Sequence, residues 1–169
     1  ALMKAFTSQD VWETDVAKFG IDIWMTTVAI CQGLKVCETF LGSKIHDAKD
    51  PAASLGPMFR QVVGTIFQMM KKYEDVWKKS SGSEDVPLIG QVEEVEPEAV
   101  NVSVEGLCTS FREGLKHFGA VWEQVLGPEH YAQLREIAGQ EPGALTFPTD
   151  LWVRTVFDFA IAFQSWAGD

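Results

Sequence analysis

From Ser54 to about Lys79, Leu55, Met58, Phe59, Val62, Val63, Ile66, Phe67, Met70, Tyr73 and Trp77 recur at three- and four-residue steps. A strand cannot place such a series on one face. The stretch therefore reads as a helix whose broad apolar stripe lies against a core. Ser54 is placed to cap its start, and Pro57 is expected in the first turn, where a missing amide costs little. Met58, Met69 and Met70 would suit a soft binding groove, but at this spacing they read as core filling. With 169 residues, 46% of them hydrophobic, and with six Trp and eleven Phe, the chain can bury a core as one domain or as two small units.

The remaining pattern is also mainly helical. Residues 7–20 are expected to form a short helix capped by Ser8 and closed by Gly20. Residues 20–33, apolar almost all round, read as a buried helix ending at Gly33. "LKVCETFLG" (34–42) alternates in strand fashion and stops at Gly42. Its partners are not visible in the sequence, and a lone strand is not stable. Between Ser80 and Phe111 stand seven acids and no base, which predicts a solvated connection. Helices follow from Ser103 to Gly127, over 128–139 from Pro128 to Gly139, and over about 149–166. The fold class expected is mainly α with a minor β element. Its parts would be residues 1–79, an acidic linker at 80–102 and a helical extension at 103–169.

Charge and cysteines narrow the function classes. A formal charge of −10, from 24 acids against 14 bases, leaves no basic face for nucleic acid. It does leave room for a local cationic pocket. Cys31, Cys37 and Cys108 form no CxxC pair, and an odd count argues against a disulfide framework, so a reducing, cytoplasmic setting is expected. No apolar run is long enough to cross a membrane, since 151–163 carries Arg154 and Asp158. The chain opens on Ala1, which leads us to expect a longer parent protein. The unpaired strand and the aromatic last helix leave self-association open.

Chemistry-bearing residues gather in "LGSKIHDAKDP" (41–51). His46 follows a strand end with Asp47 and Asp50 beside it; it is either a metal ligand or an ordinary loop histidine. Asp22 stands in the first turn of an apolar helix. There it either satisfies free amides and the macrodipole or serves a substrate as hydrogen-bond acceptor or base. Lys44, Lys49 and Arg60 could converge on a phosphate, or simply be solvated. There is no phosphate-binding Gly-rich loop, GxSxG, HExxH, paired Cys/His nucleophile or D-x-D. His117 and His130 fall in helical contexts and read as surface or packed residues.

Three motifs in order carry a resemblance. Gly20-Ile21-Asp22-Ile23, Leu41-Gly42-Ser43-Lys44-Ile45-His46 and Leu55-Gly56-Pro57-Met58-Phe59-Arg60-Gln61-Val62 are similar to the distal, acceptor-side half of GT-A glycosyltransferases. The likeness is to the bacterial glucosyl-3-phosphoglycerate synthase and mannosylglycerate synthase type of the family-2-like group. It covers about a third of the chain, and "FPTDLWVRTVFDFAIAF" is similar to the last helix of related sequences. The resemblance implies transfer of a sugar from a nucleotide-sugar donor to a small hydroxylated or phosphorylated acceptor, with Mg2+ or Mn2+ at the diphosphate. It implies that His46 ligates the metal, that Asp22 faces the acceptor, and that Lys44 lies near the diphosphate; Arg60, from the cation group, is expected to bind substrate with Lys44. The nucleotide-binding half with its D-x-D would precede this chain, which alone would be inactive. The contrasting expectation is a non-catalytic helical interaction or oligomerisation domain in which His46 is incidental.

Overall fold

A computed structural model of the chain describes residues 1–42, 51–91 and 102–166, with the backbone alone at 51–54. The described chain is mainly helical with one small parallel sheet. It divides into two compact units, one of residues 1–42 and 53–91, the other of 51–52 and 102–166.

The first unit opens with α1 (Leu2–Thr7). Ser8 closes this helix, its amide bonded to the carbonyls of Lys4 and Phe6, and does not start a helix over 7–20 as the sequence suggests. The chain instead turns, and Thr14, in extended conformation, accepts from the Val16 amide to cap a short 3-10 turn at Asp15–Ala17. Helix α2 (Ile21–Cys31) comes next. The Leu34 amide reaches the Ala29 carbonyl and the Gly33 amide that of Ile30, both at 2.9 Å. This paired closure requires the left-handed residue that Gly33 supplies at φ +67°. The helix is not buried all round, because Trp24 and Val28 are enclosed while Met25 and Ile30 are exposed.

Only Glu38–Thr39 of the expected strand pairs, as β1, and its partner is β2 (Leu88–Ile89) from within the acidic stretch. The ladder is parallel, with Glu38 opposite Leu88 and Thr39 opposite Ile89. Between the strands lie α3 (Pro51–Lys72) and α4 (Glu74–Trp77), so the path is strand, helix, strand. Helix α3 starts three residues before Ser54, which puts Ser54 inside it and Pro57 in the second turn, where it offers no amide to the ladder. The Tyr73 backbone leaves helical geometry and separates α3 from α4. The Trp77 indole donates to the Met70 carbonyl across the break at 2.8 Å. The core here is Phe6, Val16, Trp24, Val28 and Met69, with Ile21 and Tyr73 packed on it. Met69 thus fills a core, as its spacing predicts.

The second unit follows its capping residues closely. Ser103 accepts from the Gly106 amide to start α5 (Val104–Leu126), and Gly127 at φ +75° ends it. Pro128 opens α6 (Pro128–Ala138), Gly139 caps its end, and α7 (Thr149–Trp166) completes the unit. Leu126, Leu134, Ile137 and Leu151 form the core, enclosed by Phe111, Trp122, Phe147 and Phe159. Arg112 on α5 donates to the carbonyls of Ala138 and Gln140, satisfying the end of α6.

Candidate functional site

The described part of the site is the start of α2 where it meets α3. Gly20, the residue before α2, sits so close to Thr65 of α3 that a β-carbon would overlap the Thr65 hydroxyl and the Asp15 carbonyl. Thr65 is 1% exposed, and it donates to the Gln61 carbonyl one turn earlier at 2.7 Å. A buried hydroxyl satisfied within its own helix makes a flat seat for glycine. Next to this contact the Phe19 amide donates to the Gln61 side-chain oxygen at 3.3 Å, joining residues 42 apart in sequence. Together these contacts fix the first turn of α2, which bears Asp22.

Asp22 is exposed in that first turn, its carbonyl accepting from the Thr26 hydroxyl at 3.0 Å. Its carboxylate favours the positive end of the helix, and exposure leaves it free to accept from a ligand hydroxyl. Arg60, adjacent to Gln61 on α3, is also exposed. Among the described residues no ion pair joins Asp22 to Arg60. His46 and Lys44, with Asp47, Lys49 and Asp50, lie outside the described residues. Strand β1 and Gly42 at φ +80° lead toward that segment from one side, and α3 leaves it on the other. Among the described residues no three His, Cys, Asp or Glu side chains are placed to hold a metal ion.

In the second unit, sequence reasoning missed a polar cluster. His130 Nδ1 lies 2.9 Å from Asp158 Oδ2, and its Nε2 is 3.4 Å from the Thr155 hydroxyl. The carboxylate can only accept, so Nδ1 carries the proton in this tie between α6 and α7. The shorter bond of Thr155, at 2.8 Å, goes to the Leu151 carbonyl of its own helix. Beside the cluster a cleft of about 310 Å³ is lined by Glu129, His130, Gln133 and Arg154 with the Leu126–Pro128 corner. No sequence signal announces it, because His130 and Asp158 are brought together only by packing of α6 on α7. His117 is exposed and bonds the Glu113 carbonyl one turn back at 2.8 Å. Among the described residues no helix is long and apolar enough to cross a membrane. Comparison with family models, with curated proteins and with solved structures returns no match for this chain.

Proposed function

We propose that the chain is the acceptor- and metal-side portion of a GT-A glycosyltransferase, acting with a nucleotide-binding half on the same polypeptide. The observation that carries this reading is where the three motifs fall. Gly20-Ile21-Asp22 begins α2, Leu41-Gly42 follows β1 and precedes His46 in sequence, and Arg60-Gln61-Val62 lies on α3. The strand–helix–strand path with parallel pairing is the building unit of α/β folds; in sequence the second and third motifs fall between its strands, and Gly20-Ile21-Asp22 precedes it. Sugar transfer from a nucleotide donor leaves a diphosphate with concentrated negative charge. A divalent ion, Mg2+ or Mn2+, would supply Lewis-acid stabilisation of that charge when bound. His46 would complete its ligands as a neutral imidazole, Lys44 and Arg60 would offset phosphate charge, and Asp22 would accept hydrogen bonds from the acceptor hydroxyl.

The test is a transfer assay on the full-length protein with a panel of nucleotide sugars and small hydroxylated or phosphorylated acceptors. Expected are a glycosylated product by mass spectrometry, loss of turnover with EDTA, recovery with Mn2+ or Mg2+, and a drop of about a hundredfold in His46→Ala. Absence of product across the panel, or a His46→Ala enzyme with unchanged metal dependence, overturns the reading.

A second reading, a helical interaction or oligomerisation domain, has one observation in its favour. On α7, Val153, Phe157 and Ile161 are 47%, 47% and 56% exposed at four-residue steps. Mass measurement in solution separates the readings. A second-reading protein self-associates or captures a partner through this stripe and loses that property in Phe157→Glu.

A further inference from the structure

We propose that the cleft beside the His130–Asp158 tie is a binding site for a small zwitterion, a free amino acid with an aliphatic side chain. The proposal is independent of the transferase reading above, since every residue it uses belongs to the second unit. Glu129, His130 and Gln133 come from the first two turns of α6 and Arg154 from α7, while Leu126 and Pro128 supply an apolar wall at the α5–α6 corner. At about 310 Å³ the cleft is at the small end of the range for ligand sites. Glu129 and Arg154 bear opposite charges and line the same cleft. Yet among the described residues neither enters an ion pair, with the other or with any third group. A ligand that carries both charges can span that gap. Its carboxylate takes the Arg154 guanidinium in the forked geometry that arginine favours, and its ammonium takes the Glu129 carboxylate. His130 adds an acceptor. Its Nδ1 proton goes to Asp158, and the Thr155 hydroxyl gives its one proton to the Leu151 carbonyl, so Nε2 keeps a lone pair with no close donor among the described residues. An ammonium, with three protons to give, fits that need. The Gln133 side chain, with both a donor and an acceptor, can meet either end. A ligand of single charge leaves one of the two cleft charges unmatched, and this is what discriminates against it.

The test is a ligand-observed NMR titration of the full-length protein with three probes of one skeleton. These are L-leucine, 4-methylpentanoate, which lacks the ammonium, and 3-methylbutylamine, which lacks the carboxylate. Leucine is expected to bind on the order of tenfold to a hundredfold more tightly than either analogue, the worth of one charge-assisted contact. Two variants then separate the two ends. Arg154→Gln is expected to weaken leucine and 4-methylpentanoate about tenfold and to leave 3-methylbutylamine unchanged. Glu129→Gln should weaken leucine and the amine about tenfold and leave 4-methylpentanoate no weaker than in wild type. Both positions are exposed, so both variants are expected to melt where the wild type does. Failure of leucine to bind at millimolar concentration overturns the proposal, as does leucine binding no tighter than either analogue. Leucine binding that neither variant alters overturns it too, because the ligand then sits elsewhere. So does a variant that weakens all three probes alike, which marks a loss of shape rather than of charge.

Discussion

The three cysteines show how far a residue's chemistry depends on its surroundings. Cys108 is 3% exposed, Cys37 is exposed, and Cys31 near the end of α2 is half-buried. Burial pushes the Cys31 thiol above its ordinary range because a thiolate loses solvation there. The sign follows directly. A pKa raised on folding contributes stability that is complete below the ordinary thiol range and is lost as pH rises through the raised value. With iodoacetamide at pH 8, Cys37 is expected to react first, Cys31 slowly and faster as pH rises, and Cys108 only on unfolding. Peptide mass spectrometry reads the order, and Cys31 reacting as fast as Cys37 at pH 8 would contradict it. Caps are the residue-scale signals that sequence conveyed unevenly. Ser103 starts a helix as its position suggests, whereas Ser8 ends one and Ser54 sits inside one. A serine hydroxyl serves all three places, and which it takes depends on whether the residues before it are already helical.

At the scale of elements, the packing of α5 on α6 depends on a missing side chain. Gly119 is buried where a β-carbon would overlap the Tyr131 hydroxyl, so the helices approach as closely as glycine permits. Gly119→Ala is expected to destabilise the unit by about 1–3 kcal/mol through overpacking. Adding Tyr131→Phe, which removes the hydroxyl, should recover much of that loss. Urea unfolding of the two single variants and the double variant measures the coupling, and additive losses would show that the two positions do not meet. The long helices were legible because their apolar spacing and their Gly and Pro punctuation are local properties. The β1–β2 ladder was not, since two exposed residues carry little pattern and the pairing is set by chain segments far apart in sequence. The His130–Asp158 tie was hidden for the same reason.

For the whole molecule, each unit closes a core from its own residues, with Trp24 reporting on one and Trp122 beside the other. Leu134 is 2% exposed at the centre of the second, so Leu134→Ala is expected to cost about 2–5 kcal/mol, measured by urea unfolding. A loss well under 1 kcal/mol would mean a loosely filled core. Of the candidate site, sequence located Asp22 at a helix start and Arg60 on a long helix. The contact of Gln61 and Thr65 with the residues before α2 emerged only from tertiary packing. The small sheet has a further consequence. Joining residues 38 and 88 closes a loop of roughly fifty residues, at an entropic cost of about 3.5 kcal/mol plus a constant. Two ladder positions, with net bonds of about 1 kcal/mol each, cannot offset that alone. Helix α3, seated in the core through Met69, has to deliver the strand ends to each other. The Glu38 amide, bonded to the Pro87 carbonyl at 3.0 Å, therefore serves as a gauge whose exchange rate tells how firmly a helix elsewhere in the unit is docked.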